Sequence, residues 1–520
     1  MKLTENLCQL LESRAAAYGD KPFLHSEIDG RVWSYFELNL AVNRTANMLR
    51  SHNIEKGDVV SLLMANSAEY IIAYFACWKI GALAGPVNSL LKAEEIEWVV
   101  GNSESKLMLV GSDWGAGGPL AMSAKHENRF PQMVTFTDVN EAVKDFSNVL
   151  EPVEIANDDD AIIIYTSGTT GKPKGCLLTH GNLIANARQI VEWMGFGPSD
   201  RLLTIMPLFH MNAVSVTTMT ALYAGGSTVV SPKFSASRFW NIIEKYGITS
   251  FGSVATMLSM LLAASDQQAA VSGQQTDSPF TIHHSPLSSL RFAMCGSAPV
   301  PAEIVRKFEE TFGCLVIEGY GLSESTCRST FNPPNESRRP GSCGKPIGNE
   351  MKVFDEEDRE VGIGELGEIV MRGANICKEY FKNPVATATA FAGGWFHTGD
   401  IGYRDADNFF YIADRKSDMI IRGGENIYPR EIDDLLYTHP SIASAAVIGV
   451  PDELYGEEVA AFVVIKEGKS LSGDELIEFC QQHLADFKCP KTVHFVADIP
   501  KGPTGKLLKR ELAKINMKMK

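Results

Sequence analysis

Helical and strand-like patterns alternate through about the first four hundred residues, and this alternation limits the possible folds more than any other feature. DVVSLLMAN from Asp58 is typical of a strand, the run from Ala68 is typical of a helix, and KLMLVGS from Lys106 predicts another short strand. Strands that alternate with helices form layered α/β structures with largely parallel sheets. We therefore predict an α/β fold whose large N-terminal part consists of layered subdomains.

The pattern changes twice further along the chain. From Gly348 to Gly373, short strands with glycine and acidic turns predict a small β subdomain. After Asp414, the charged stretch RKSDMIIRGGENIYPREID predicts a hinge, and two strands and a helix follow it. We expect an N-terminal domain at residues 1–415 and a small, mobile α+β C-terminal domain at residues 416–520.

Composition excludes several functional classes. The 520 residues are 45% hydrophobic and 21% charged, as in ordinary globular proteins of more than one domain. A net charge of −15 makes binding to nucleic acid or to an anionic membrane unfavourable. The most apolar run, YIIAYFACWKIGALAG, contains Lys79 and predicts a buried helix. Ten singly scattered cysteines predict reduced thiols in a cytoplasmic protein.

The stretch from Asp266 to Pro286, rich in Gln, Ser and Ala, predicts a surface loop.

The stretch YTSGTTGKPKG, from Tyr165 to Gly175, concentrates groups that bind phosphate. Its spacing is not that of a P-loop. An apolar run precedes it and CLL follows, so we expect it to join two strands. A flexible turn with solvated lysines is the alternative. The stretch supplies four hydroxyls, two glycines that let backbone amides approach a ligand, and two cations, namely Thr166, Ser167, Thr169, Thr170, Gly168, Gly171, Lys172 and Lys174.

Further motifs carry single groups suited to nucleotide chemistry. In EGYGLSES, Glu324 is an oxygen ligand suited to Mg²⁺, and Tyr320 is suited to stacking on a base. The alternative there is a strand end followed by a helix capped by Ser323. In GWFHTGD, Asp400 could accept both hydroxyls of a ribose, and Arg415, further on, could pair with phosphate or ribose.

The last motif, PKGPTGKLLKREL, contains a tight PTGK turn that would present Lys506. A solvated basic tail is the alternative, since charge runs usually lie at the surface.

Taken together, these motifs resemble those of the adenylate-forming superfamily, which includes acyl-CoA synthetases, adenylation domains of peptide synthetases and beetle luciferases. YTSGTTGKPKG resembles its signature loop, GYGLSES its Y-G-x-T-E, GWFHTGD its T-G-D, ADRKSDMI its hinge and PTGK its final lysine motif. The resemblance covers essentially the whole chain. The segments KIGALAGPVN and RFWNIIEKYGIT are similar to those of carnitine/crotonobetaine-CoA ligases, although such helices also occur in medium-chain and aryl-CoA ligases.

The resemblance implies an AMP-forming acyl-CoA ligase that uses ATP, Mg²⁺ and CoA to activate a small carboxylate through an acyl-adenylate. Lys506, Glu324 and His210 would be catalytic, with Glu324 on the metal and His210 as a gate between the CoA tunnel and the acyl pocket. A satisfied core histidine is the alternative for His210. The expected ATP contacts are Thr166, Ser167, Gly168, Thr169, Thr170, Gly171, Lys174, Gly296, Ser297, Ala298, Pro299, Glu318, Gly319, Tyr320, Gly321, Ser323, Asp400, Arg415 and Lys506.

The resemblance also implies two further sets of contacts. CoA would pass Gly423, Gly424 and Glu425, and the acyl pocket would include the residues His210, Met211, Ser253, Cys295 and Leu322. Arg328, just beyond that pocket, is expected to be solvated, with a contact to a second anionic group of the substrate as the alternative.

Two positions depart from the superfamily's pattern. Ser323 replaces the usual threonine before the metal glutamate, and its hydroxyl preserves a phosphate contact. Ser417 stands in the hinge where Asp or Lys is usual, which would alter the rotation slightly.

Other functions remain open at this point. The enzyme could load a separate carrier protein instead of CoA, act as a luciferase-like oxygenase, or be an inactive nucleotide-binding scaffold. Retention of the candidate catalytic residues disfavours the scaffold. A homodimer is possible, and neither nucleic acid nor an integral membrane contact is expected.

Overall fold

The computed structural model describes residues 5–114, 130–166, 173–272, 289–297, 300–502 and 507–519. Within these ranges no helix is both long enough and apolar enough to cross a membrane. The first part of the chain alternates helices with strands as expected: α1 Leu7–Tyr18, β1 Pro22–Ser26, β2 Val32–Ser34, α2 Tyr35–Ser51, β3 Val59–Leu63, α3 Ala68–Lys79, β4 Leu83–Pro86, α4 Ala93–Asn102, β5 Leu107–Val110, β6 Gln132–Thr135 and α5 Val139–Ala142.

The middle part continues the alternation and includes a π-helix at Asn212–Met219 and a 3₁₀ turn at Ser323–Ser325. Its other elements are β7 Asp160–Thr166, β8 Lys174–Thr179, α6 His180–Met194, β9 Arg201–Thr204, α7 Thr220–Ala224, β10 Ser227–Val230, α8 Ala236–Tyr246, β11 Ser250–Ser253, α9 Ala255–Ser272, β12 Phe292–Cys295, α10 Ala302–Phe312, β13 Leu315–Glu318 and β14 Thr330–Phe331.

These elements build two seven-stranded sheets. One has the order β13-β12-β11-β9-β10-β1-β2 and is parallel except for β2. The other includes β7, β4, β3, β5 and β6 as parallel neighbours, while β8 pairs with β7 in the antiparallel sense. The α/β prediction is confirmed. As expected, the loop after Thr166 joins two strands, because β7 and β8 form one hairpin around it.

Helix α3 shows why the chain contains one helix that is apolar on all sides. All twelve of its residues are buried, and it packs against α1, α2 and strands of both seven-stranded sheets. A helix enclosed on every side has no solvent face to make polar. Lys79 is only 5% exposed, and its ammonium pairs with the Glu12 carboxylate. The prediction of a buried helix in this stretch is confirmed.

The small β subdomain forms from β15 Lys345–Pro346, β16 Glu350–Phe354, β17 Gly367–Arg372, β18 Glu379–Tyr380, α11 Pro384–Ala390, β19 Phe396–Arg404 and β20 Phe410–Arg415. Strands β16, β17, β19 and β20 make a four-stranded antiparallel sheet, so the subdomain extends beyond the predicted Gly373 to Arg415. Strand β18 leaves it and pairs with β8 at the edge of the second large sheet.

The last hundred residues have a separate sheet of five strands. Its elements are β21 Ile420–Arg422, β22 Glu425–Ile427, α12 Pro429–Thr438, β23 Ile442–Asp452, β24 Gly456–Ile465, α13 Gly473–Gln481, β25 Thr492–Phe495 and α14 Lys509–Met519. Two apolar clusters, one on each face, consist largely of residues from these elements. The movement of residues 416–520 as a domain stays a prediction.

The expected surface loop from Asp266 to Pro286 is wrong at its start. Helix α9 continues to Ser272, because the sequence DQQAA contains alanine and glutamine, which favour helix over loop. Residues 273–286 lie outside the described part of the chain.

Candidate active site

The candidate residues converge at the carboxyl ends of strands in the first sheet. Strands β11, β12 and β13 end at Ser253, Cys295 and Glu318, and the GYGLSES segment leaves directly from β13. In open α/β sheets, ligands bind at this edge. The β7–β8 hairpin and β19 bring their residues to the same segment through the contacts described next.

Glu324 is the centre of the first cluster. Thr166 Oγ1 donates a hydrogen bond to Glu324 Oε1 at 3.3 Å, and the Tyr380 hydroxyl donates to the same oxygen at 2.9 Å. The Lys174 ammonium lies 5.2 Å from the centre of the Tyr380 ring. The structure thus brings Thr166, Lys174 and Glu324 together, as the motifs predict, and orients the carboxylate with two hydroxyls.

Tyr380 is a functional candidate that the sequence reasoning missed. It lies in β18, which is paired with β8, and Cys176 is its register partner. Burial and the neighbouring Glu324 carboxylate raise its pKa, so the hydroxyl stays protonated and donates. The sequence KEYF carries no motif that marks it, because its position depends on a strand crossing from the small sheet region to the large one.

Asp400 is the centre of the second cluster. Its Oδ2 accepts a 2.5 Å hydrogen bond from the Tyr320 hydroxyl, and Arg415 Nε lies 3.1 Å from its Oδ1. Asp400 and Arg415 are direct partners in the β19–β20 ladder, which fixes their proximity. Burial raises the pKa of Tyr320 well above its usual value, and the Asp400 charge adds to this. The two predicted ribose ligands are therefore adjacent, and Tyr320 joins them through its hydroxyl.

Close backbone packing explains the glycines of the predicted adenine site. A Cβ at Gly296 would lie 2.4 Å from the Gly319 carbonyl oxygen, and one at Gly321 would lie 2.1 Å from the carbonyl oxygen of Cys327. Ser297 has a φ of 69° in the tight turn after β12. Ala298 and Pro299, predicted to contact ATP here, lie outside the described residues.

Glu318, also predicted in the ATP site, holds the loop that passes beside it. Its side chain accepts hydrogen bonds from the Gly341 amide at 3.1 and 3.2 Å. The residue is 6% exposed, and burial raises its pKa to about 8. The carboxyl group therefore holds a proton at neutral pH, and its role in binding the base stays a prediction.

We expect Glu318→Gln to flatten the dependence of stability on pH. Between pH 4.5 and about 8 the folded protein keeps the Glu318 proton while the unfolded chain releases it, so a rise in pH lowers the free energy of unfolding, by several kcal/mol in total. Glutamine cannot titrate, and its carbonyl can still accept from Gly341. Denaturant unfolding at pH 5 and pH 8 tests this, and parallel profiles for the two proteins would contradict it.

His210 is half-buried, and its Nε2 atom is enclosed with no hydrogen-bond partner. Burial lowers its pKa to about 4, so the ring is neutral at physiological pH. The alternative of a core histidine with its hydrogen bonds satisfied does not fit an unpaired Nε2. The gate assignment stays a prediction.

The other predicted acyl-pocket residues lie near the ends of the same strands. Met211 is buried beside His210, Ser253 donates to the Met294 carbonyl oxygen at 3.1 Å, and burial raises the pKa of the Cys295 thiol to about 12. Leu322 is only half-buried and packs against the apolar cluster of the small β-sheet. Its place in the pocket stays a prediction.

Arg328 corrects the expectation of a solvated side chain. It is 1% exposed and ranks among the largest fully buried side chains of the described chain. No pattern around Arg328 predicts its burial, because a lone arginine in a loop of small residues is usually at the surface.

The predicted CoA-contacting turn joins β21 to β22, where Arg422 and Glu425 are register partners. Gly423 and Gly424 have φ values of 59° and 92°, so the turn itself requires glycine at both positions. A larger residue at Gly424 would strain the backbone even without CoA. The contacts of Gly423, Gly424 and Glu425 with CoA stay predictions.

Two groups of predicted site residues lie outside the described residues. These are Ser167, Gly168, Thr169, Thr170, Gly171 and Lys172 of the phosphate loop, and Lys506 of the last motif. Their described neighbours do show where the two segments attach: Thr166 pairs with Lys174 across the β7–β8 hairpin, and Lys501 pairs with Leu507 in an antiparallel bridge.

The family model described as AMP-binding enzyme matches residues 11–381, and the model described as AMP-binding enzyme C-terminal domain matches residues 431–506. The chain belongs to the AMP-binding enzyme family. The first match contains the YTSGTTGKPKG segment and the Glu324 cluster, and the second contains β23, β24 and β25 and ends at Lys506.

Similar proteins include named CoA ligases and a solved ATP-bound structure. The chain is 35% identical to the sulfoacetate–CoA ligase of Cupriavidus necator, over 98% of this chain and 97% of that one. It is 34% identical to a crotonobetaine/carnitine–CoA ligase of Escherichia coli, over 98% and 99% of the two chains. The ATP-bound structure of MatB from Rhodopseudomonas palustris superposes with a TM-score of 0.89 at 28% identity, covering 99% of this chain and 100% of that one.

These comparisons confirm three predictions from the sequence. The chain is an adenylate-forming enzyme, its fold is that of the superfamily, and its class is an AMP-forming carboxylate–CoA ligase. The resemblance to carnitine/crotonobetaine-CoA ligases is also confirmed. Since one relative acts on sulfoacetate and another on carnitine, similarity alone does not select the carboxylate.

Proposed function

We propose that the two clusters at the sheet edge carry out both half-reactions of a carboxylate–CoA ligase. In the first, a carboxylate oxygen bonds to the α-phosphorus of ATP, the bond to the bridging oxygen breaks, and pyrophosphate leaves. In the second, the CoA sulfur bonds to the acyl carbon, AMP leaves, and the thiol proton passes to solvent. The observation that carries this proposal is the pairing of Asp400 with both Tyr320 and Arg415 beside the GYGLSES segment.

Asp400 and Arg415 would hold the ribose. A buried carboxylate that already accepts from Tyr320 retains lone pairs for the sugar hydroxyls. Arg415 pairs with the Asp400 carboxylate and has further donors for sugar or phosphate oxygens. The pair would thereby place the α-phosphate at a fixed distance from the acyl pocket.

Glu324 would hold Mg²⁺, and the donor set fits this ion. Mg²⁺ prefers oxygen ligands and keeps waters and phosphate oxygens in its shell, so one carboxylate with a nearby hydroxyl is sufficient. The described residues contain no group of three or more His, Cys, Asp or Glu side chains that could form a complete protein cage. Bound there, the ion would neutralise charge on the phosphates. Thr166 and Tyr380 would hold the carboxylate in position.

We expect Glu324→Gln to shift the Mg²⁺ titration of adenylation to concentrations at least tenfold higher, and to lower the maximal rate. A neutral amide is a weaker ligand for a hard cation. Pyrophosphate release at a series of Mg²⁺ concentrations measures the shift. Tyr380→Phe is a matched variant that removes a hydroxyl from Glu324 but keeps its charge, and it should move the titration less. Superimposable titrations for Glu324→Gln and the parent would assign the metal to another ligand.

CoA is the proposed acceptor, and the alternative is a carrier protein with a phosphopantetheine arm. Pyrophosphate and AMP release, followed with CoA, with a loaded carrier protein or with neither, separates the two. Turnover stimulated by CoA with formation of a thioester supports the proposal. Stimulation by the carrier alone would favour the carrier-loading enzyme, and release of a free adenylate with no thiol would exclude both acceptors.

All ten cysteines are free thiols, eight of them buried. Reduced thiols are usual for chains in reducing compartments, and this supports the proposed cytoplasmic location.

The homodimer stays a prediction, which sedimentation analysis would check.

A further inference from the structure

We propose that Arg328 binds a second anionic group of the substrate, so that the enzyme activates short carboxylates that carry another carboxylate or a sulfonate. This inference rests on the proposed function, because it assigns the substrate class of the same ligase.

The guanidinium of Arg328 is buried without a counter-ion. Nη1 donates to the Cys327 carbonyl oxygen at 3.3 Å and approaches its Sγ at 3.4 Å, while Nε and Nη2 are buried with no hydrogen-bond partner. Among the described arginines, it is the only one with two unpaired buried donors. By contrast, the partly buried Arg338 pairs with the Glu309 carboxylate at 2.6 Å.

An isolated buried charge is strongly unfavourable, and so is a buried ion pair that has lost one of its partners. The described part of the chain provides no carboxylate within salt-bridge distance of Arg328. The Glu318 carboxyl group and Arg328 both lie close enough to the Cys295 thiol to influence its pKa. However, burial raises the pKa of Glu318 to about 8, so this carboxyl group keeps its proton at neutral pH. A ligand anion would supply the charge that the protein lacks.

The position of the guanidinium places this anion at the substrate edge of the sheet. A Cβ at Gly296, directly after β12, would lie 2.8 Å from Arg328 Nη2, and the Phe331 ring centre lies 5.5 Å from the guanidinium carbon. The predicted acyl-pocket residue Cys295 precedes Gly296. Arg328 follows Glu324 by four residues, so one short segment carries both the proposed metal ligand and the proposed anion ligand.

Asn212 supplies a second unpaired polar group on the same face of the sheet. Both its amide oxygen and its amide nitrogen are buried without partners, and a Cβ at Gly252 would lie 2.6 Å from the oxygen. Gly252 is the register partner of Met294, two residues before Gly296, so the side-chain positions of Gly252 and Gly296 share a face. Strand geometry puts their Cα atoms roughly 8 Å apart.

The two glycines leave room on this face where Asn212 and Arg328 approach it. A buried amide and a buried guanidinium with unused donors are groups suited to binding an anionic oxygen group. A trimethylammonium group beside Arg328 would meet an uncompensated like charge. The arrangement therefore disfavours a carnitine-type substrate, although the chain resembles ligases that act on one.

The test compares carboxylates matched in length, with and without the second anion. ATP-dependent pyrophosphate release is measured with malonate and propionate, succinate and butyrate, and sulfoacetate and propionate, with carnitine added as a cationic carboxylate. We expect at least one dianionic acid to exceed its partner about a hundredfold in kcat/KM, the effect typical of a buried charge pair. Equal activity on matched acids, or preference for carnitine, would overturn the inference.

Variants at Arg328 separate binding from a structural role. Arg328→Met should reduce the dianion-to-monoanion ratio to within about fivefold of one, mainly through KM for the dianion, and Arg328→Lys should retain an intermediate ratio. The control is Arg291→Met, at the opposite end of β12, where Arg291 pairs with the Asp200 carboxylate at 2.9 Å. It should leave the ratio unchanged.

The possible outcomes distinguish the inference from the function on which it rests. If Arg328→Met lowers activity on both members of a pair by the same factor, Arg328 is structural and the inference is wrong. If Arg328→Met fails to fold, which thermal unfolding reports, the ratio in Arg328→Lys and the wild-type panel decide. If no carboxylate in a wider panel supports pyrophosphate release, the proposed function itself fails. Activation of monocarboxylic acids alone overturns only the substrate class.

Discussion

Replacing Asp400 by asparagine is expected to lower kcat/KM for ATP about a hundredfold, mainly by raising KM. The carboxylate is 3% exposed, accepts from Tyr320, and is the ion-pair partner of Arg415, which forms no other salt bridge among the described residues. The amide removes one acceptor and the charge that compensates Arg415. Truncating one member of a buried charged pair commonly costs about 2–5 kcal/mol in binding, which corresponds to this loss or more.

The matched control for this prediction is Asp405→Asn, in the turn after β19. Asp405 also pairs with an arginine, Arg339, but its main contacts are the Asp407 and Phe409 amides at 2.9 Å, and asparagine can accept from both. We expect its KM for ATP to stay within about twofold of the parent value. Pyrophosphate release at varied ATP measures both variants. An unchanged KM in a correctly folded Asp400→Asn protein would show that ATP binds elsewhere.

The sequence predicts the fold well where local patterns decide it. Hydrophobic alternation identifies the α/β layers and the buried helix α3, because burial on all sides leaves a fully apolar helix. It does not predict that β18 leaves the small sheet region to pair with β8, because such a pairing joins residues about two hundred positions apart. The sequence does not predict that residues 266–272 continue helix α9, because the Gln, Ser and Ala of this segment also occur in loops.

The site is predictable to the extent that single motifs carry it. Glu324, Thr166 and Lys174 come together as the motifs imply, and Asp400 pairs with Arg415 because they are ladder partners. The motifs do not predict which of their side chains contact side chains from other parts of the chain. Tyr380 orients Glu324 from another strand, and the Tyr320 hydroxyl reaches Asp400 although the sequence suggested only a stacking role.

Burial of polar side chains is the property that the sequence conveys least. No sequence motif marks Arg328 or Asn212. Both side chains are nevertheless buried and carry hydrogen-bond donors that have no partner. Their burial follows from glycines on other strands, Gly252 and Gly296, that leave room against the sheet. The residues that leave this room are distant in sequence from the residues that fill it. No local sequence pattern therefore predicts the burial, and only the structure shows it.

Replacing Lys506 by alanine is expected to lower the adenylation rate about a hundredfold or more, while thioester formation from a supplied acyl-adenylate stays within about threefold of the parent rate. A carboxylate and a triphosphate repel each other, and a positive group between them stabilises charge that develops in the transition state. By its resemblance to the superfamily's last lysine motif, Lys506 provides that group in the first half-reaction only, before residues 416–520 rotate. In the second half-reaction the acyl group is already activated, so the ammonium is no longer required.

Lys501→Ala provides the matched control, because Lys501 lies on the same segment and its ammonium pairs at the surface with Asp498 at 2.7 Å. Removing this exposed charge should leave both half-reactions near the parent rate, which excludes a general effect of the basic tail. ATP–pyrophosphate exchange measures adenylation, and chromatography of the thioester formed from a synthetic adenylate measures the second step. A Lys506→Ala protein that loses both activities equally would mean that the lysine stays in the site throughout turnover. That result would contradict the prediction that rotation of the C-terminal domain separates the two half-reactions.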